Sequence, residues 1–413
     1  MRTEQLMKDP VRSLLHLERW CNDGSPSGLS FGEHQVSPAY RPRGDAASFP
    51  AGSRVLPWSD VEVLLAAPSP ALANEIVRPD GVVFVMHPDN PDSRTGTSCE
   101  SRLVAPTASA RTVLVLDSGP VHYAKLHYPG LLGRVPREMD TKRVRASVRM
   151  SAALDQEAGL LSDGCAYLPE SIGVTTRLTG TEQGVVYREF IPRSRSTDSA
   201  DGVVRPQIPL FSLFSTDLHS PEDPPLLVDL LCGAGGGGRP AEAFVSLVDL
   251  LIESYCALVF GVGLVPEDHA QNLLIELDWS GAPRRVVRRD LLDWYADLEI
   301  RRLRKLPTDF TRVLDTEHDA ERAYGGRSYA FDFRLGEYVL DPLIDCAARH
   351  LRVKAEETRA WVRERVHALA ADHDIDLHDY FRPFEHTSRY ARGLRIWRDG
   401  RPLFQAGPAP TYR

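Results

Sequence analysis

One segment constrains this chain more than any other. Glu267-Asp-His269-Ala-Gln271-Asn272 leads into the alternating run 272–278, a turn at 279–283 (Trp-Ser-Gly-Ala-Pro), and a return run, 284–289, ending at Asp290. Strand-like alternation over 272–278, turn chemistry after it and the returning run 284–289 predict an antiparallel hairpin. Such pairing carries Asp290 back towards Asn272 and His269. Polar side chains of several types then crowd the mouth of one strand, and an acid ends its partner. Oxygen ligands from Glu267, Asn272 and Asp290 suit Mg²⁺, which takes a few carboxylates together with phosphate oxygens. The plainer alternative is a capped loop, with Glu267 and Asp268 at a helix end and His269 satisfied locally.

The rest of the chain organises itself around that hairpin. Residues 11–20 read as a short amphipathic stretch, followed over 23–50 by a run rich in Gly, Ser and Pro. Residues 81–87, 111–117, 121–126 and 184–191 read as strands, the second and third joined by the turn Asp117-Ser-Gly-Pro120. Residues 143–156, 241–259 and 338–371 have helical composition, and 395–404 reads as a small hairpin around Asp399-Gly400. Strands in runs and helices in runs favour an α+β fold over regular βαβ alternation. The polar, proline-rich stretch 193–225 is a candidate boundary. The division expected is a reduced N-terminal lobe over 1–80, a β-rich nucleotide-binding lobe over 81–225, and a C-terminal lobe over 226–413 with the hairpin and the helical end.

Composition narrows the partners. The 413 residues are 42% hydrophobic and 26% charged, enough for a sizeable core, with a formal net charge of −8. An acidic balance argues against nucleic acid, which selects a basic face. No sequence run reaches the roughly 20 apolar residues of a bilayer span, so no membrane partner is expected. The six cysteines are scattered and form no CxxC pair, which fits reduced thiols in a cytoplasmic protein.

A second constellation lies upstream: Ser109-Ala-Arg111-Thr112, then Lys125, then Arg137. Hydroxyl, guanidinium and ammonium groups near a β-hairpin can grip a triphosphate; the alternative is a solvated sheet face. Taken with the hairpin segment, these residues resemble the IucA/IucC family of NRPS-independent siderophore (NIS) synthetases. That family's Glu-x-His-x-Gln-Asn, strand, turn, basic strand and Arg-Asp are similar to 267–290. Its Ser-x-Arg-Thr, its Lys-Leu segment with a later arginine, its His-Pro and its Arg-Glu strand are similar to 109–112, 125–137, His87-Pro88 and Arg188-Glu189.

The resemblance implies an α+β, multi-lobed fold around one cleft. It also implies an ATP- and Mg²⁺-dependent ligase that adenylates a carboxylic acid and passes it to an amine or hydroxyl. Ser109, Arg111, Thr112, Lys125, Arg137, Asn272 and Asp290 would then contact ATP. His87, His269 and Gln271 would face the carboxylate, with His269, Gln271, Lys125 and Arg137 taking catalytic parts. Glu267, Asn272 and Asp290 would hold the metal. A homodimer is compatible with the family.

The chain also departs from the pattern. The N-terminal Gly-His-Pro is reduced to Gly24-Ser25-Pro26, the usual Trp-Gln after His87-Pro88 is Asp89-Asn90, and Gly133 lies near the place of a threonine. The nucleotide half is thus kept more fully than the carboxylate half. Three other signals offer rival chemistry. Residues 226–238 contain GxGxxG after an apolar run, as at the entry to an S-adenosylmethionine methyltransferase, although a second strand is missing. Residues 373–379 alternate acids and histidines, and 301–305 form the densest basic run, either a solvated helix face or an attractor of anionic substrate. A non-catalytic nucleotide-binding relative is the remaining alternative.

Overall fold

The computed structural model describes residues 2–23, 35–94, 100–117, 119–132, 135–178, 180–195, 203–233, 239–381, 397–398, 401–402 and 411–413. Gly24-Ser25-Pro26, Gly133, the segment 234–238 (Ala234 and four glycines) and the Asp399-Gly400 turn lie outside them.

A nine-stranded sheet dominates the N-terminal half. Its order is Val61–Leu65, Ile172–Leu178, Thr181–Glu189, His122–Leu126, Thr112–Val115, Glu100–Pro106, Phe49–Leu56, Gly81–Met86 and Val77–Arg78. The hairpin expected across 111–126 is present, with Thr112 opposite Lys125. Gly81–Met86 is buried along its whole length, as its unbroken apolar run requires. Phe49–Leu56 and Val61–Leu65 belong to this sheet too, so it runs across the division expected at residue 80. Sheet strands need neighbours for their backbone N–H and C=O groups whatever their distance in sequence. The helix Thr141–Gln156 lies on this sheet. Its close approach depends on two glycines, because a Cβ at Gly173 or Gly184 would stand 2.5 or 2.6 Å from Val144 methyls.

The hairpin of the C-terminal half forms as patterned. Leu273–Leu277 pairs antiparallel with Pro283–Arg288, and Asp278 Oδ1 accepts from the Ser280 and Ala282 amides at 2.8 and 3.0 Å to hold the turn. Three short strands complete a five-stranded sheet: Arg193–Ser194, Cys165–Tyr167 (parallel to Pro283–Arg288) and Gln207–Pro209. This second sheet likewise spans the division expected at residue 225. The two sheets meet through a small core of Leu114 and Tyr123 from the larger, Ala166, Leu274 and Val287 from the smaller, and Leu14 from the helix Pro10–Trp20. That packing fixes the ends of both sheets beside one another.

Behind the smaller sheet, Pro240–Cys256 continues as a π-helical turn, Ala257–Val262, and stops at Gly263 with φ 70°. By length and hydropathy, Pro240–Val262 does reach what a membrane span needs, correcting the sequence count. Its most apolar 18-residue stretch is nevertheless 61% buried in protein, and the helix forms part of the main core. The helical reading of 338–371 breaks at Arg352, whose φ of 58° separates Asp341–His350 from Ala355–Asp372. Trp397–Arg398 pairs with Arg401–Pro402 as the small hairpin required. The methyltransferase alternative loses its strand. Leu226–Cys232 is a helix that buries Leu226, Leu227, Leu230 and Leu231 on one face.

Candidate functional site

The hairpin register does the first work. Leu273 pairs with Arg288, and the Arg289 amide donates to the Asn272 carbonyl at 3.0 Å. Asp290 follows at once, in a left-handed conformation with φ 66°. A non-glycine residue there costs energy and turns the carboxylate out of the strand line. The segment before the hairpin folds on itself. The His269 and Asn272 amides donate to the Glu267 and His269 carbonyls at 2.9 and 2.8 Å, and Asn272 Nδ2 donates to the Glu267 carbonyl at 3.1 Å. Asp268 points inward, where Arg288 grips both its oxygens at 2.8–3.1 Å. It anchors the loop, and its neighbours face the cleft.

The two constellations separated in sequence are brought together. Lys125, 1% exposed on the larger sheet, donates to Asp290 Oδ1 at the end of the smaller one. Against the effect of burial, Lys125, Arg188 and Arg111 hold the Asp290 carboxyl well below its usual range. Arg111 donates from Nη1 to the Arg137 carbonyl at 2.8 Å. Burial first and the neighbouring Arg137 charge second press its guanidinium down to about 10. Neither Arg111 nor Arg137 is ion-paired with a carboxylate among the described residues. Asp290 and Asp293 act on Arg111 only at a distance, so both guanidinium groups keep their donors clear of a direct carboxylate contact. Ser109 lies half-buried in the turn before them, and Thr112 closes that turn, its amide donating to the Ser109 carbonyl at 3.1 Å.

His269 completes the cleft. The Gln271 amide donates to its Nδ1 at 3.2 Å, so the neutral ring carries its proton on Nε2. Burial chiefly, then Arg334, pushes its pKa down to about 3. It is a neutral donor across the ordinary pH range, suited to holding an anionic oxygen without supplying a charge.

Two expectations change. His87, expected to face substrate, is fully enclosed and packs its ring against Tyr128 and Tyr40. Burial lowers it to about 4, and it supports the sheet end beneath the Ser109 turn. Glu267, expected as a metal ligand, accepts from Arg334 through Oε1 at 2.5 Å, and its Oε2 stands 4.0 Å from His269 Nε2. Among the described residues, Glu267 and Asp290 do not belong to any preassembled group of three His, Cys, Asp or Glu ligands. The other rival signals dissolve into structure. Arg301 is wholly buried against Glu157, Arg302 pairs with Asp315, and Asp376 caps the helix Leu377–Tyr380.

Sequence reading missed several residues. Glu18, wholly buried, pairs with Arg289 and accepts from the Ala108 amide at 2.8 Å, tying the hairpin end to the Ser109 turn. Its signal was an acid one turn after Leu14, on the apolar face of an amphipathic helix. Glu170 pairs with Arg188 and accepts from Ser147 Oγ at 2.6 Å and the Leu291 amide at 3.3 Å, which holds the backbone just after Asp290. Asp293 stands close enough to Glu267 and Asp290 for their charges, after burial, to raise its carboxyl. No periodicity marks either acid.

No protein-family model matches the chain, and no curated protein does. Solved structures do. The petrobactin biosynthesis protein AsbB from Bacillus anthracis str. Sterne matches with a TM-score of 0.66 and 14% identity, over 99% of this chain and 77% of its own. The aerobactin synthetase IucC from a hypervirulent pathotype of Klebsiella pneumoniae matches at 0.61 and 16%, over 100% and 78%. The ATP-bound aerobactin synthetase IucA from the same source matches at 0.63 and 15%, over 93% and 75%. The likeness is one of fold, and it is the fold that the resemblance to the IucA/IucC family implied.

Proposed function

We propose that this chain is an ATP-dependent ligase. In this reading it adenylates a carboxylic acid and transfers the acyl group to an amine or hydroxyl, giving an amide or ester in siderophore or related natural-product biosynthesis. The observation that carries this reading is the convergence of Arg111, Arg137 and Lys125 on Asp290 and His269, with two guanidinium groups in no direct ion pair among the described residues. The ATP-bound state of a fold neighbour, IucA, supports the choice of anion.

Each residue then has a part. Arg111, Lys125 and Arg137 hold the phosphates, with Ser109, Thr112 and Asn272 completing the nucleotide seat. The carboxylate attacks the α-phosphorus, an acyl–oxygen–phosphorus bond forms, and pyrophosphate leaves with its electron pair. Two anions approach in that step, so fixed cations lower its barrier most. Gln271 and the Nε2–H of His269 hold the acid in line. The amine or hydroxyl then adds to the acyl carbon and expels AMP. The donors Glu267 Oε2, Asn272 Oδ1 and Asp290, with Asp293 beside them, are the hard oxygens that Mg²⁺ prefers. Bound there, the ion would neutralise phosphate charge. The acid need not be citrate, because the departures from the family pattern fall on the carboxylate side. The setting is cytoplasmic, and a homodimer is compatible with the reading.

Incubation with ATP, a panel of carboxylic acids and hydroxylamine as a generic acceptor tests this. AMP and pyrophosphate are the expected products. ADP as the stoichiometric product would overturn adenylation. ATP bound with no pyrophosphate released by any acid would leave a non-catalytic nucleotide-binding relative.

A further inference from the structure

A second cluster of chemically mixed side chains lies apart from this cleft. His16 is near the end of the helix Pro10–Trp20, Cys21 opens the strand Cys21–Asp23, and Asp217 closes the strand Thr216–Asp217. The two strands pair with Cys21 directly opposite Asp217. His16 Nε2 stands 3.0 Å from Asp217 Oδ2, and the three ligand atoms, Cys21 Sγ included, lie within 4.8 Å of one another. Asp217 Oδ1 also accepts from the His219 amide at 3.0 Å. Cys21 is 2% exposed, whereas the side chains of Asp217 and His16 are 11% and 23% exposed, so the group is shielded yet open to solvent on one side.

From this geometry we propose that His16, Cys21 and Asp217 form a binding site for a zinc-type divalent cation. One nitrogen, one sulfur and one carboxylate oxygen are the donor set that Zn²⁺ accepts, and a thiolate disfavours Mg²⁺. Tetrahedral bonds of 2.0–2.3 Å set ligand atoms roughly 3.3–3.6 Å apart, so the His16–Asp217 pair at 3.0 Å opens slightly and Cys21 Sγ closes by at most about 1.5 Å. Water takes the fourth position, with the exposed His219 ring at the rim, its centroid 5.3 Å from that of His16. On binding, Cys21 loses its thiol proton to solvent, and the neutral His16 carries its remaining proton on Nδ1. The ion would pin the end of the helix that carries Glu18, and with it the contacts of Glu18 to Arg289 and the Ser109 turn.

Cobalt(II), titrated into the full chain, is the probe. One equivalent should bind and give the near-ultraviolet thiolate-to-cobalt charge-transfer band, with a rise in Tm. Cys21→Ser should abolish the band, and His16→Gln, at a partly exposed position, should weaken binding by roughly a hundredfold. Cys232→Ser, which removes the exposed thiol among the described residues, should leave the band unchanged. No band in the wild type, a band surviving Cys21→Ser, or one lost in Cys232→Ser would overturn the site. None of these readouts depends on ligase activity.

Discussion

At the residue scale, Asp290 is where conformation and charge meet. It is the left-handed residue of the cleft and the partner of Lys125. Asparagine tolerates that backbone and matches the shape, but it carries no charge. Asp290→Asn should therefore keep the circular dichroism spectrum and lower turnover by at least about a hundredfold. Full activity across a magnesium titration would make Asp290 merely structural. The histidines give a second expectation. His269 and His87 fold with pKa values near 3 and 4, against 6.5 when unfolded. Between those values the unfolded chain binds protons that the folded chain does not. Stability should thus fall as pH drops from about 6.5 towards 4, by up to about 1.4 kcal/mol per pH unit for each histidine. Urea midpoints at successive pH values measure this, and His87→Phe should flatten the slope.

At the scale of elements, the helix Pro10–Trp20 acts as a wedge between the sheets. Leu14 packs in the small core between them, and Glu18 joins Arg289 to the Ala108 amide. Breaking a buried pair from one side leaves an uncompensated charge and costs about 3–5 kcal/mol. Glu18→Gln should lower the denaturation midpoint accordingly and weaken ATP binding, although Glu18 is assigned no substrate contact. Arg289→Gln in the same chain should restore part of the stability. Full additivity of the two substitutions would show that the pair is not coupled.

At the scale of the whole molecule, neither sheet is local in sequence. The larger one needs Phe49–Leu56 and Val61–Leu65, and the smaller one joins strands on both sides of residue 225. A fragment spanning 81–225 would lose central and edge strands of the first sheet, would strip Cys165–Tyr167 of its parallel partner Pro283–Arg288, and would leave Gln207–Pro209 without a partner. It should show no cooperative thermal transition, whereas the full chain should. A sharp transition of the isolated fragment would restore that stretch as an autonomous lobe.

The hairpin was legible because its information is local. Alternation, a turn sequence and a two-residue period fix the register, and the register alone returns Asp290 to Asn272. The hairpin across 111–126 and the helix Thr141–Gln156 were legible on the same grounds. What sequence could not say was which charges would find one another across the fold. Arg301 and Asp268 looked like surface or site residues and proved to be buried ion-pair members. His87 looked like a substrate contact and is enclosed. Glu18, Glu170 and Asp293 gave little or no periodic signal. Each of those outcomes depends on burial, and burial is decided only when the two sheets close on the helix between them. Pattern and turn chemistry set the strands, and tertiary packing chose the partners of the charges.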